Sequence, residues 1–357
     1  MNHKIHSATA LCLALGAGAC WAQGSTVTLY GIADAGVRHA SGMTAGGAPG
    51  AGSTTSLNSG ILSASRWGLR GSEELGGGLK ADFNVESAIA LDTGSQGNSA
   101  RYFDRASWVG LSGAWGSLRA GRQTNLLVDA LIPVDPFGML VASLNPNVGI
   151  TALSQHGLGV QFGNSGQATA AYRVDNALKY SGKWGPVSAS VMHGFGEMAE
   201  RKSALSTTGA LLKYEQGGFV TTLALQRFES AAGRSLDAAT LGGAYRTGRF
   251  TAMANFGRHK AAISDASDTT QKVLTLGGKF QATPDVTLTA AHYRVDRERT
   301  GLRDDGFHRS IVLAEYAFSR RTRVYAEADF TQWRNGYQGA GNESRARGAS
   351  VGIVHMF

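Results

Sequence analysis

The closing stretch of the chain, "RARGASVGIVHMF", places Ala349, Val351, Ile353, His355 and Phe357 on one face at a strict two-residue period. Such alternation is the pattern of a strand with one apolar and one wet face, and a wall with lipid outside and water inside needs it. The same beat recurs along the chain. Leu79, Ala81, Phe83, Val85, Ile89 and Leu91 share one face against Lys80, Asp82, Asn84 and Glu86. Phe250, Ala252, Ala254 and Phe256 stand against Thr251, Asn255 and Gly257, and Val324, Ala326, Ala328 and Phe330 against Tyr325, Glu327, Asp329 and Thr331. Charges and amides keep to one side.

The opposite terminus has the pattern of an export signal. Lys4 supplies the charge, residues 10–22 are apolar, and small Cys20 and Ala22 precede an expected cut at Gln23, which makes 1–22 a signal peptide and 23–357 the mature domain. A lipoprotein cut before Cys20 would want a larger aliphatic residue where Ala17 stands. Both cysteines, Cys12 and Cys20, fall inside this segment, so disulfides, thiol chemistry and cysteine-held metals are excluded from the mature chain. No later stretch has the roughly 18 apolar residues of a spanning helix. A membrane role therefore requires a closed β-barrel, the other architecture that satisfies every backbone group in lipid.

Composition agrees. With 49 Gly, 6 Pro and 43% hydrophobic residues scattered in alternation, the chain suits a wall better than a packed core. Without Lys4 it carries 33 basic and 26 acidic residues, a formal +7. Export past the cytoplasm argues against nucleic acid as the partner of that charge.

Short turns fall near Gly77, Gly113, Gly185, Gly217, Gly248, Pro284 and Arg321, thirty-odd residues apart except for one wider gap. That is the length of two strands of about ten residues and a loop. Tyr180, Tyr214, Tyr245, Phe280 and Tyr316 each stand just before a turn, as rings at one height of a membrane interface would. A first strand from Thr26 to Arg38, seven hairpins and a closing strand from about Arg347 give sixteen, enough for a water-filled lumen.

Five segments then point to a family: "STVTLYGIADAGV" from Ser25, "SRWGLRGSEELGGGLKADFNVE" from Ser65, "RASWVGLSGAWGSLRAGRQ" from Arg105, "DNALKYSG" from Asp175 and the ending "VGIVHMF". Together, and in family order, they resemble the general trimeric porins of Gram-negative outer membranes, closest to the betaproteobacterial ones. The resemblance implies an all-β, sixteen-stranded antiparallel barrel, a homotrimer, and passive diffusion of small hydrophilic solutes and ions. It also implies an in-folded third loop facing an arginine cluster. Outer-membrane lipid, lipopolysaccharide and the barrel-assembly machinery are the other implied partners, and Phe357 is the implied assembly signal. No cofactor or metal is expected.

The wide gap, from Thr124 to about Thr169, is too long for an ordinary connection and apolar enough to pack. Within it "VDALIPVDPFG" resembles the family's constriction segment, which makes Asp129 and Asp135 the candidate acids. Phe137 follows Pro136 directly where the family often has Glu, so the acidic side is thin.

Parity predicts the basic side. Trp67 and Leu69 outward put Arg66 and Arg70 inward. Trp108 and Ala106 outward put Arg105 inward, and Leu178 and Tyr180 outward put Arg173 and Lys179 inward. Val27, Leu29 and Val37 outward put Arg38 inward, and Arg119 faces in on weaker grounds. The family motif also puts Arg66, Arg105 and Arg173 in the cluster. The competing reading for each arginine is a wall residue neutralised by an acid such as Asp82, Glu86 or Asp34. On the outside, small Gly71 and Gly110 beside Trp67 and Trp108 suggest where subunits pack.

Charged walls bias which ions enter a narrow aqueous pore, at roughly 1 to 4 kcal/mol per pair of unit charges 4 Å apart. That is enough for a weak anion preference and weak enough for release. The rival classes find less support. His156, His193, His259 and His292 are scattered, with no nucleophile-elbow or zinc-helix pattern for a hydrolase. The runs "GGGLK" and "HGFGE" lack the following helix of a phosphate loop, and an adhesin would need longer outer loops.

Overall fold

Alternation along the chain becomes a closed wall. The computed structural model describes residues 25–151, 160–164 and 172–357, so the expected signal peptide and His156 lie outside the described residues. The strands are β1 (Thr26–Met43), β2 (Pro49–Ser59), β3 (Arg66–Gly76), β4 (Leu79–Ala88), β5 (Ala106–Gly113), β6 (Gly116–Thr124), β7 (Arg173–Trp184), β8 (Val187–Gly194) and β9 (Thr207–Gln216). They continue as β10 (Phe219–Glu229), β11 (Ser235–Thr247), β12 (Phe250–Ser264), β13 (Ser267–Gln281), β14 (Val286–Arg299), β15 (Asp305–Ala317), β16 (Thr322–Arg334) and β17 (Arg345–Met356). Each pairs antiparallel with its neighbours, and every predicted turn joins a hairpin on the side where the chain starts and ends.

Seventeen strands fill sixteen wall positions. β2 and β3 both pair with β1, on its upper and lower halves, so they are one wall strand interrupted at residues 60–65. The Asp34 carboxylate, wholly buried, accepts hydrogen bonds from the backbone N–H groups of Leu62 (2.8 Å) and Ser63 (2.5 Å) and from the Tyr325 hydroxyl (2.8 Å). The break is thus held from the barrel wall, and Asp34 neutralises no arginine. Two of its three donors are backbone amides that no sequence pattern announces.

Closure is by β1 on β17, in register from Ile32 opposite Met356 to Ser41 opposite Arg347. Gly31 and Phe357 exchange both backbone hydrogen bonds at 3.1 Å, and a Cβ on Gly31 would collide with the Phe357 ring. No edge is left to pair with a stray strand.

The outward face is apolar and exposed: Leu29, Val109, Val191, Leu225, Leu241, Leu276, Val312 and Val351 all point away from the lumen. Near the turns the predicted aromatics are joined by Trp115, Trp184, Phe219, Phe250 and Phe318. Trp115 stacks on Tyr180 at 6.1 Å and Phe250 on Phe280 at 4.5 Å. This girdle runs from β6 round to β16. The turn-side ends of β1, β3 and β4 are mainly aliphatic, with Val27, Leu29, Leu75 and Leu79, and Phe83, lying against Gly71, is the ring among them.

Candidate pore constriction

The described part of the third loop, residues 125–151, folds into the barrel rather than away from it. Two one-turn helices shape it, α1 (Leu126–Leu131) and α2 (Pro146–Thr151). The Asn125 side chain caps α1 by accepting from Val128 N (3.0 Å) and donates to Thr151 O (3.1 Å) of α2. Leu126, Leu127 and Ala130 bury against Met192, Ala224, Phe228 and Leu236 of the wall. Further round, Asn255 donates to Val134 O (3.1 Å) and Arg309 donates to Leu144 O (2.8 Å) and to Gly47 O (2.7 Å) of the first loop. Glycine makes room for this contact: a Cβ on Gly242 would collide with Val134, and one on Gly277 would stand 2.7 Å from Pro136 Cγ. Loop 3 is therefore fastened to β8–β15, and the channel is left between it and β3–β7.

That remaining opening has a volume of about 330 Å³. On the wall side Arg66, Arg105, Arg119, Arg173 and Lys179 line it, with Glu86 among them. Glu86 accepts from Arg105 Nε (2.6 Å), lies 3.4 Å from Arg66 Nε, and accepts from the Tyr30 hydroxyl (2.9 Å). Arg119 lies over the Trp108 ring at 4.2 Å and Arg173 over Tyr172 at 4.5 Å. Lys179 donates to Asp129 (2.6 Å) at the edge of the opening. Five cations thus face two carboxylates, an excess of three positive charges.

Several expected placements need correction. Asp135 does not face the channel: it is 1% exposed and turned into loop 3. Its carboxylate accepts from Phe137 N (2.9 Å), Met139 N (3.1 Å), Asn145 Nδ2 (3.0 Å) and Asn147 Nδ2 (2.9 Å). Burial pushes its pKa up against the pull of those donors. Its work is to fold the loop tip. Arg38 points inward but is 1% exposed and lies outside the constriction, bound to Glu327 (3.1 Å) and Asp329 (2.7 Å), which stand on a strand distant in sequence. Arg70 faces the lumen away from the narrowest part, over the Tyr30 ring at 5.0 Å.

Trp108 and Ala106 line the lumen and Gly110 shares their parity; outward on β5 are Val109 and Leu111. Arg105 reaches the channel because it stands before β5, where strand parity no longer applies. Its neighbour Asp104 binds the Ala88 amide (2.8 Å), and the Arg105 amide bonds Glu86 O (3.1 Å). Tyr172 and Trp108 are channel residues that alternation alone misassigns or passes over, and the arginine beside each ring, adjacent in the chain or on the facing strand, was the available clue. Two larger hollows, of about 800 and 780 Å³, lie on the outer wall between residues such as Leu178, Val191 and Leu225, or Leu288 and Val312. They are grooves in the lipid-facing surface.

A family model described as Gram-negative porin matches residues 7–336. The chain is a Gram-negative porin. It is 28% identical to outer membrane porin protein 32 of Delftia acidovorans over 98% of this chain and 99% of that one. Against an outer membrane porin protein of Bordetella pertussis the identity is 38%, over 39% of this chain and only 38% of that protein's length. Among solved structures, an anion-selective porin from Comamonas acidovorans superposes with a TM-score of 0.76 at 25% identity, covering 94% of this chain and all of that one. OmpT of Vibrio cholerae in its trimer form gives 0.68 at 15% identity, a likeness of fold, over 93% and 99%. The porin is thus a sixteen-stranded solute channel of the Gram-negative outer membrane.

Proposed function

We propose that this porin passes small hydrophilic solutes with a preference for anions, and that it works as a homotrimer. The preference is carried by the imbalance at the constriction: Asp129 and Asp135 are the only acids between residues 125 and 172, and neither offers a free carboxylate to the water path. Arg66, Arg105 and Arg173, with Arg119 and Lys179, then set the sign of the potential. Confinement between low-dielectric walls keeps salt from screening it as fully as on an open surface. The relative from Comamonas acidovorans is described as anion-selective, which agrees.

The trimer reading rests on the gap in the aromatic girdle. Rings of Trp and Tyr are favoured where a wall meets lipid headgroups, so aliphatic ends on β1, β3 and β4 mark a sector covered by protein. Trp67 there packs edge-on to Tyr102 (6.2 Å) and Phe103 (6.4 Å), with Tyr102 60% exposed. Lipid and lipopolysaccharide would cover the remaining circumference, and the assembly machinery would read Phe357. Replacing Arg66, Arg105 and Arg173 together by Ser tests the channel reading in planar bilayers. The zero-current potential in a salt gradient should move toward the cation side and conductance should rise; an unmoved potential would remove these arginines from the selectivity filter.

A further inference from the structure

The two walls of the eyelet differ in kind. One is cationic and aromatic, with Arg119 on Trp108 and Arg173 on Tyr172. The other is hydrocarbon: Ile132, Met139 and Leu140 of loop 3 close the same opening, and Ile132 is 49% exposed inside the channel. An acidic loop would set a transverse field across the pore and reward dipolar solutes. An apolar loop cannot do this, and it takes hydration from whatever touches it without replacing the lost hydrogen bonds.

A solute gains from both walls only if it is itself two-sided. A carboxylate group finds charge-assisted donors on Arg119 or Arg66. An apolar body attached to it finds Ile132 and the Trp108 face, where removal from water is favourable. At about 330 Å³ the opening lies at the small end of ligand pockets, which run from roughly 300 to 1,000 Å³, and accommodates one ring. We infer that the eyelet is a transient binding site for carboxylates with an apolar body, single-ring aryl carboxylates above all, and that Ile132 and Trp108 determine this specificity. The inference rests on the anion reading given above.

The test uses the detergent-extracted channel in its native assembly, in planar bilayers under potassium chloride. Sodium benzoate, sodium acetate and sodium gluconate are added in turn, and interruption of the chloride current is read. Benzoate should interrupt it at a concentration several-fold lower than acetate or gluconate. Ile132→Ser should weaken the benzoate effect about threefold, and Trp108→Leu should do likewise through loss of the ring face. Ile132→Ser should not shift the zero-current potential in chloride, since it exchanges one neutral residue for another away from the cations, whereas Trp108→Leu also removes the ring on which Arg119 lies. Equal interruption by benzoate and acetate, or an undiminished benzoate effect in Ile132→Ser, would overturn the inference. A wild-type channel that is cation-selective in chloride would instead overturn the reading beneath it.

Discussion

Arg119 is the most exposed cation of the constriction, whereas Arg105 and Arg173 are largely covered by Glu86 and Tyr172. A mobile ion feels an uncovered charge most. Arg119→Ser should therefore cost more anion preference than Arg105→Ser or Arg173→Ser, read as zero-current potentials of the three single variants. A smaller shift for Arg119 than for either would contradict the exposure argument. Asp135 makes the opposite point. Asp135→Asn should leave the selectivity of assembled channels unchanged, because the charge is buried in the loop, while heat resistance falls as a buried acceptor is lost, at about 1–3 kcal/mol. A shift of the potential toward the anion side would show that the carboxylate reaches the channel. Arg66 was legible in sequence as an inward charge and Arg105 only through the family motif, since its parity argument had Trp108 on the wrong face; Asp135 was not legible, because segment likeness says nothing of which way one side chain turns at a loop tip.

Loop 3 is held by lumen-facing side chains, of which alternation had marked only Asn255, without assigning it a task. Asn255, Thr275, Tyr293 and Arg309 alternate inward on β12–β15, and Arg309 is almost completely buried with three oxygen partners: Thr331, Leu144 O and Gly47 O. Breaking hydrogen bonds to a charged group costs roughly 1.5–3 kcal/mol each in typical proteins. Arg309→Met should therefore loosen the loop, seen as noisier single-channel current and closures at lower voltage. A quiet trace like that of the wild type would mean that Asn255, Gly242 and α1 suffice. The wall itself was far easier to read than this packing. Phase is set by many residues at once, and Val109 with Leu111 outvote the single Trp108 on which the phase of β5 had been placed. β2 escaped notice because "PGAGSTTSLNS" carries almost no apolar alternation to mark it.

Whole-molecule architecture follows from closure. Phe357 ends β17 with its ring on Gly31 and both backbone hydrogen bonds made to it, so the last residue seals the barrel as well as ending it. Deleting Phe357 should lower the assembled fraction in the outer membrane while leaving the conductance of assembled channels alone; normal yield would refute this role. A trimer that resists detergent until heated is expected on gels of the native channel, and a monomer in unboiled samples would refute the proposed subunit contact across β1, β3 and β4. Number of strands and closure were legible because they repeat a period; the long third loop showed as an interruption of that period, and its folding into the lumen was legible only through the family resemblance. The balance of charge at the eyelet was only half legible, since it depends on which acids pair, as Glu86 does with two arginines and Asp129 with Lys179.

The most direct measurement is the zero-current potential of the wild-type channel in a potassium chloride gradient, repeated from low salt toward 1 M. Five basic groups against two engaged carboxylates predict an anion-selective potential. It should shrink but keep its sign as the Debye length falls to about 3 Å. A cation-selective potential at low salt would contradict the charge balance assigned to the constriction.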